Sequence, residues 1–329
     1  MIIPLGNASI LRIYKNRLNT YLLLGCLISV VLSVQVLAKT EIIINGKQKI
    51  TVNYSDKFTR KEQKQSALWL KKVTASLLKI YGQWPKDRLI ILVRKTSRGH
   101  GAVPWGEVER NDINKVTLFI NPGYGFKAIA DDWTVFHELS HLLLPYRGYG
   151  DLWISEGLAS YYQNILQARS GQLNEKQFWD NIIRGFERGK AQSRWPEVNL
   201  STISDDMGQY REFMRVHWSG VLFWLQGDVK VRTLSQNRQS LDTLMYKLKI
   251  CCQNQEMSAR EIMSKLDKLS GYKIFTTSFY EFRKSLKMPD YKPLIKNLRL
   301  VKGNKLNKKN IQADYGDIAK KIFNGNGER

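Results

Sequence analysis

The chain has 329 residues, of which 43% are apolar, and its aromatic residues include 9 Trp, 15 Tyr and 12 Phe. A sequence of this length and apolar content can bury one or two hydrophobic cores, which excludes an intrinsically disordered protein. Lys and Arg outnumber Asp and Glu by 52 to 29, which gives a formal net charge of +23. Such a charge favours contact with an anionic membrane, an envelope polymer or nucleic acid, although a solvated basic surface explains it equally well.

The N-terminal segment has the composition of an export signal. Basic residues precede an uncharged run from Leu18 to Ala38, and Ala38 is a small residue at the position that a signal peptidase recognises. We therefore expect residues 1–38 to be a cleaved signal peptide and the mature protein to be periplasmic or extracellular. Two alternatives stay open, because the run is long enough to remain as a membrane anchor and Cys26 would suit a lipoprotein. Export removes nucleic acid from the expected partners and keeps an anionic membrane or envelope surface.

The part of the chain that follows, residues 39–145, is predicted to form a sheet-bearing lobe. An apolar hairpin is predicted over residues 41–54, and a capping box begins the helix that comes next. Two short apolar runs, Leu89–Val93 and Val116–Ile120, are typical of buried strands. A glycine-rich connection, Gly99–Gly106, separates them.

The rest of the chain has helical periodicity. A helix is predicted over Trp153–Arg169, and most of the sequence after Gln172 also has helical spacing of its apolar residues. We therefore expect an α+β protein with a helical lobe over residues 146–302. A basic, flexible tail is predicted over residues 303–329, with one short helix over residues 314–323.

The sequence His137-Glu138-Leu139-Ser140-His141 matches the pattern HExxH and lies in a helix predicted from Asp131 to Leu144. Residues four apart stack on one face of a helix, so His137 and His141 can bind one metal ion. Glu138 points about 100° away from them and would act as general base on a water molecule, whose pKa a zinc ion lowers to about 7. The alternative of two exposed helix histidines leaves unexplained that the motif uses two of only 4 histidines.

A catalytic zinc ion needs a third protein ligand, and Glu156 is the candidate. It lies 15 positions after His141, near the start of the second predicted helix. Gly148 and Gly150 lie between the two helices and allow the chain to reverse, so that both helices can face one site. The alternative is that Glu156 only stabilises the N-terminus of its own helix.

The segment from Asp131 to Gly171, above all WISEGLASYYQNILQARSG, resembles the glycyl aminopeptidase family of gluzincin zinc metallopeptidases. More distantly, the chain is similar to aminopeptidase N and thermolysin. The resemblance implies one zinc ion, with Glu156 as its third ligand, and a peptide or protein substrate. It also implies a thermolysin-like fold in which the zinc site lies between the sheet-bearing lobe and the helical lobe.

The same resemblance implies a residue that donates a hydrogen bond to the oxyanion. Members of this group use a Tyr or His from the helical lobe, and His217 aligns with it here, with Tyr210 as the second candidate. Phe213, Val221 and Trp224 share a helical face with His217, so a buried core histidine is the alternative. The sequence leaves these two interpretations of His217 open.

Related aminopeptidases hold the amino terminus of the substrate with a Glu near an edge strand. The segment around His100 occupies the corresponding place, and only Glu107 and Glu109 are nearby candidates. The sequence therefore does not decide between an exopeptidase and an endopeptidase.

Together these features predict an exported zinc peptidase in which Glu138 assists the attack of water on a peptide carbonyl. Two alternatives stay open: a non-catalytic envelope-binding protein on a gluzincin scaffold, and a zinc hydrolase of a non-peptide substrate. Cysteines add little, because only the neighbours Cys251 and Cys252 lie outside the leader and a bridge between neighbours is strained. Two reduced residues or an intermolecular link are as compatible with the sequence.

Overall fold

The computed structural model describes residues 38–44, 48–55, 57–81, 88–146, 148, 150–298 and 315–325. The expected signal peptide, apart from Ala38, lies outside the described residues, and so does most of the expected tail. Both therefore stay predictions. Among the residues that are described, no helix is long and apolar enough to cross a membrane.

One sheet contains the strands β1 (Ala38–Ile44), β2 (Gln48–Tyr54), β3 (Arg88–Lys95), β4 (Trp105–Arg110) and β5 (Asn114–Ile120). The strand order is β1-β2-β3-β5-β4. β1 and β2 form the expected antiparallel pair, β2, β3 and β5 run parallel, and β4 returns antiparallel along β5 as an edge strand. Residue spacing alone did not predict β4, because it follows a glycine-rich loop and mixes charged with apolar residues. The family resemblance placed an edge strand around His100, and the strand begins at Trp105.

The helices are α1 (Arg60–Tyr81), α2 (Gly125–Asp131), α3 (Thr134–Ser140), α4 (Leu152–Arg169), α5 (Glu175–Ala191), α6 (Leu200–Asp205), α7 (Met207–Tyr210), α8 (Phe213–Leu234), α9 (Leu241–Cys252), α10 (Ala259–Ser270), α11 (Phe275–Arg283), α12 (Lys292–Asn297) and α13 (Tyr315–Asn324). Two short 3-10 helices lie at Pro122–Tyr124 and His141–Leu143. Since one sheet precedes a mainly helical remainder, the α+β prediction is confirmed.

Local hydrogen bonds explain where α1 begins and how it packs on the sheet. The amide of Thr59 donates to the carboxylate of Glu62 (2.6 Å), and the amide of Glu62 donates to the Thr59 hydroxyl (3.2 Å), so the predicted capping box is present. Leu70, Val73 and Leu77 recur at helical spacing and are buried in the core that α1 shares with the sheet.

The predicted helix from Asp131 to Leu144 is interrupted. Asp132 has extended backbone angles, and its carboxylate accepts hydrogen bonds from the amides of Thr134 (2.8 Å) and Val103 (3.1 Å). The side chain of Asp132 therefore satisfies the first turn of α3 and ties it to the loop before β4. At its other end, α3 tightens into the 3-10 helix at His141–Leu143, so the prediction of one continuous helix was wrong.

Helices α4 and α8 cross at two glycines. A Cβ atom on Gly157 would overlap the backbone of Gly220, and one on Gly220 would overlap the backbone of Gly157, so the two helices touch along their main chains. Trp224 lies one turn further along α8, and its indole nitrogen donates to the carbonyl of Ile154 (2.9 Å). This crossing brings the middle of α4 against the first turns of α8.

Two features near the chain's end complete the fold. Cys251 and Cys252 form a disulfide bond with each other at the end of α9. Of the alternatives left open by the sequence, the structure therefore contains the bridge between neighbours. Within the predicted tail, α13 packs with Ile318 and Ile322 buried, and the carbonyl of Ile322 accepts a hydrogen bond from Arg169 of α4 (3.0 Å). The predicted tail therefore contains a docked helix.

Candidate metal centre

The HExxH residues lie on α3 and its 3-10 extension. The rings of His137 and His141 are 4.9 Å apart and nearly perpendicular, on the helix face that turns towards α4. His137 is buried, and the side chain of His141 is 11% exposed. The spacing of four thus brings both imidazoles to one place, as their sequence positions predict.

Glu156, in the second turn of α4, faces these two histidines. Its Oε2 lies 3.3 Å from Nε2 of His137 and 3.7 Å from Nε2 of His141. The turn before α4 ends at Asp151, which has the left-handed angle φ 59° and whose carboxylate accepts hydrogen bonds from Arg283 (3.0 and 3.1 Å). These contacts fix the reversal of the chain before α4, so that the first turns of α4 face α3.

His217 of α8 enters the same cluster. Its Nε2 lies 3.6 Å from Oε2 of Glu156, and its ring is 5.7 Å from that of His137. Val221 and Trp224 are in the core, but Phe213 is exposed and His217 faces the site. The structure therefore places His217 with the HExxH histidines rather than in the core.

Each of the three imidazoles has a second partner on α4, bound through Nδ1. The partners are the Oε1 of Gln163 for His137 (3.3 Å), the hydroxyl of Ser155 for His141 (3.0 Å) and the hydroxyl of Ser160 for His217 (3.1 Å). With Nδ1 engaged, Nε2 of every ring faces the Glu156 carboxylate.

Sequence reasoning missed these three partners. A signal was present, because Glu156, Ser160 and Gln163 recur at positions i, i+4 and i+7 of a helix that is otherwise largely buried. A polar stripe on such a helix indicates a site that faces another element.

Burial and charge set the protonation of the cluster. Burial lowers the pKa of His141 to about 3 and that of His217 to about 4, so both imidazoles are neutral at neutral pH. Burial alone would raise the pKa of Glu156, but the adjacent imidazoles of His141, His137 and His217 hold it well below its usual range. Burial opposes protonation of His137 as well, yet its hydrogen bond to Glu156 and the nearby carboxylates raise its pKa.

Glu138 lies beside the cluster against the edge strand. A Cβ atom on Gly106 of β4 would overlap the Cγ of Glu138, so the carboxylate side chain packs directly on the strand backbone. Burial raises the pKa of Glu138 to about 7, and the negative charges of Glu156 and Glu107 act in the same direction. A carboxylate with this pKa can both accept and return a proton near neutral pH.

The other candidates from the sequence lie elsewhere. Tyr210, on α7, packs edge-to-face against Trp195 with ring centroids 5.6 Å apart, and none of the contacts described for it reaches the histidine cluster. His100 lies in the loop before β4. On β4 itself, Glu107 is exposed and Glu109 pairs with Lys115 of β5 (2.5 Å).

The donor atoms fit a zinc ion. Ligand atoms that are each about 2.1 Å from a tetrahedral zinc ion lie about 3.4 Å apart. The distances from Oε2 of Glu156 to Nε2 of His137 (3.3 Å) and of His141 (3.7 Å) are close to that edge. Imidazole and carboxylate are also the donors that zinc takes in hydrolytic sites.

Comparison with known proteins supports this interpretation. Residues 147–227 match the family described as M61 glycyl aminopeptidase, a range that contains α4 with Glu156 and the part of α8 with His217. Among curated proteins, none matches the chain.

One solved structure shares this fold, and two others are similar to the chain at lower TM-scores. The aminopeptidase N family protein from Idiomarina loihiensis has a TM-score of 0.57 and 18% identity, over 80% of this chain and 49% of that chain. Two further similar structures, both 14% identical, are leukotriene A4 hydrolase from Saccharomyces cerevisiae (TM-score 0.49, 80% of this chain and 42% of that chain) and the M1 zinc metallopeptidase from Deinococcus radiodurans (0.47, 77% and 53%). This chain thus spans about half of the length of these proteins. The family match and the shared fold of the first confirm the resemblance to gluzincins.

Proposed function

We propose that this chain is a zinc metallopeptidase that hydrolyses peptide bonds and holds one zinc ion with His137, His141 and Glu156. The observation that carries the proposal is the convergence of two imidazole Nε2 atoms on one buried carboxylate, at the spacing of zinc ligands. A zinc ion bound there would acidify a water molecule and polarise a substrate carbonyl. The family match and the gluzincin-like fold support the same activity.

Glu138 is the general base of this proposal. It follows His137 directly in the sequence, so the helix turns it out of the ligand face and beside the cluster. Its packing on Gly106 fixes where the carboxylate lies, and burial keeps its pKa near 7. Glu138 takes a proton from the attacking water and returns it to the leaving amine.

The geometry favours His217 over Tyr210 as the residue that contacts the oxyanion. His217 is held by Ser160 with Nε2 directed into the site, whereas Tyr210 packs on Trp195. A neutral imidazole can donate a hydrogen bond from Nε2 to developing negative charge.

The edge strand β4 supports a peptide substrate. Within the described sheet β4 pairs only with β5, so its outer backbone edge is available to an extended chain next to Glu138. Extended peptides bind such edges by main-chain hydrogen bonds. Glu109 is paired with Lys115, and Glu107 is exposed on the same strand with a charge that acts on Glu138, so Glu107 is the remaining candidate for an amine-binding carboxylate. We propose an endopeptidase, because the open edge of β4 can accept an extended chain.

We also propose that the protein is exported and acts at or near an anionic membrane or envelope. The support is the leader-like sequence of residues 1–38 and the net charge of +23.

The experiment that tests the proposal combines metal analysis with cleavage assays. The purified full-length chain is expected to contain zinc and to cleave internally quenched peptides whether or not their amino termini are blocked. Glu138→Gln should keep the zinc and lose roughly 10²–10⁴-fold in turnover, since the general base is gone. Glu197→Gln, an exposed carboxylate away from the cluster, is the matched control and should keep full activity.

Three results would contradict parts of this proposal. Unchanged turnover in Glu138→Gln would refute the base. Zinc without cleavage of any peptide would favour the non-catalytic scaffold or a non-peptide substrate. Cleavage restricted to free amino termini would refute the endopeptidase.

A further inference from the structure

The histidine cluster contains one more imidazole than a three-ligand zinc site uses. Nε2 of His217 lies 3.6 Å from Oε2 of Glu156, which is as close as Nε2 of His141 at 3.7 Å. A separation of this size is again close to the edge of about 3.4 Å expected between two ligands of a tetrahedral zinc ion. The distance that identifies His141 as a ligand therefore applies equally to His217.

The distances between possible metal-ligand atoms also bring His217 together with His137 and Glu156. One ligand atom each from His137, Glu156 and His217 lie within 4.8 Å of one another, so a single cation can contact these three. His141 does not belong to this set of mutually close atoms and approaches it at Oε2 of Glu156, 3.7 Å from its Nε2. The rings of His137 and His217 are also close to parallel, at 25°, with their centroids 5.7 Å apart.

Two contacts between α4 and α8 fix the position of His217. The glycine crossing of α4 and α8 lies three residues further along α8, at Gly220, and leaves no space between the helix backbones. The Ser160 hydroxyl, one turn after Glu156 on α4, then holds Nδ1 of His217 at 3.1 Å. This is the arrangement by which His137 and His141 are held, each with Nδ1 bound to an α4 side chain.

We propose that His217 is a fourth metal ligand in the substrate-free protein, which then holds its cation with three imidazoles and one carboxylate. The inference rests on the metal site of the proposed function and goes beyond it, because His217 would bind the cation itself and not only the oxyanion. Four protein ligands fill the tetrahedral shell that a catalytic zinc site normally leaves open. His217 must therefore leave the shell, or the shell must expand to five ligands, before a substrate oxygen can bind.

X-ray absorption by the zinc-loaded, full-length protein without substrate tests this directly. We expect three imidazole ligands, and two in His217→Ala. In a competition titration with a zinc chelator, His217→Ala should bind zinc at least roughly 10²-fold more weakly than the wild type, more than the loss of a residue that only orients a ligand costs. His100→Ala removes the remaining histidine, which is exposed in the loop before β4, and should leave zinc affinity unchanged.

The outcomes separate this inference from the proposed function. Two imidazoles in the wild-type spectrum, or unchanged zinc affinity in His217→Ala, would overturn the fourth ligand and leave the zinc peptidase intact. Failure of the wild type to bind zinc would overturn both. The wild-type spectrum needs no variant, so the test stands even if His217→Ala does not fold.

Discussion

Helix α4 contributes to two buried polar clusters that differ in how their charges are matched. The tyrosine cluster, at its C-terminal half, consists of Tyr161, Tyr162, Arg169, Asp228, Arg232 and Asp242. The site cluster, at its N-terminal half, consists of His137, His141, Glu156 and His217. The tyrosine cluster lies between helices of the helical lobe, whereas the site cluster lies between α3 and the helices α4 and α8. Both contain carboxylates that are largely removed from water.

In the tyrosine cluster each carboxylate is paired with a cation. Asp228 accepts hydrogen bonds from Tyr161 (3.0 Å), from Arg232 (2.9 Å) and from the amide of Leu241 (2.9 Å). Asp242 likewise pairs with an Arg and accepts from a Tyr. Because two guanidinium groups neutralise the two carboxylates, no carboxylate of this cluster is left to bind a metal cation. The cluster instead connects α4 with α8 and α9.

In the site cluster the carboxylate is not paired with a guanidinium group of the described residues. One carboxylate faces three imidazoles, and burial keeps the pKa values of His141 and His217 at about 3 and 4, so both rings are uncharged at neutral pH. A carboxylate among neutral imidazoles is the donor set that a zinc ion binds. A buried polar cluster is therefore structural when its charges are paired internally and a metal site when acceptors converge.

The largest expected effect comes from removing a ligand. Glu156→Ala and His137→Ala should each abolish stoichiometric zinc binding and peptide cleavage, because each variant removes one of the proposed zinc ligands. The variants should stay folded, because α4 is anchored by the tyrosine cluster. Metal analysis and circular dichroism check this, with Glu197→Gln as the control. Full zinc content in Glu156→Ala would contradict the proposal that the site cluster binds the metal ion.

A variant in the tyrosine cluster should have the opposite effect, a loss of stability without a loss of zinc binding. Asp228→Asn breaks the ion pair between Asp228 and the buried guanidinium of Arg232, which should lower the free energy of unfolding by about 3–5 kcal/mol. Protein that remains folded should still bind zinc. Urea unfolding of the metal-free protein measures the first effect, and metal analysis of the folded fraction measures the second. Loss of zinc without loss of stability would show that the two clusters are not independent.

A third variant tests how closely the edge strand positions the base. Gly106→Ala places a methyl group where the Cγ of Glu138 lies, so the carboxylate must shift. A displacement on the order of 1 Å can cost about 10²-fold in turnover. Zinc content should be unchanged, because the three atoms nearest to the added methyl group all belong to Glu138 and none to a proposed ligand. Gly208→Ala, which meets no atom within 4 Å, is the matched control. Equal turnover of both variants would mean that Glu138 is not held by β4.

The sequence predicted the parts of this molecule that depend on local spacing. The HExxH face, the distance to Glu156 and the α+β order follow from helical periodicity and turn residues, and the position of His217 came from the family resemblance. Sequence could not choose between site and core for His217, because the choice depends on where α8 crosses α4. It also missed the bounds of β4 and the whole tyrosine cluster. The partners in that cluster are 67 and 80 positions apart and meet only through tertiary packing.

The smallest expected effect concerns the residues that orient the imidazoles. Ser160→Ala removes the hydroxyl that holds Nδ1 of His217. If His217 is a ligand, the loss of this partner should weaken zinc binding by roughly tenfold, the lower end of the range for residues that orient ligands. Ser170→Ala is the matched control on the same helix, because the Ser170 hydroxyl donates only to the carbonyl of Gln167 (2.9 Å). Equal zinc affinity in the two variants would place His217 among residues that contact substrate and not the cation, since a serine that orients only an oxyanion donor changes turnover and leaves metal binding as it is.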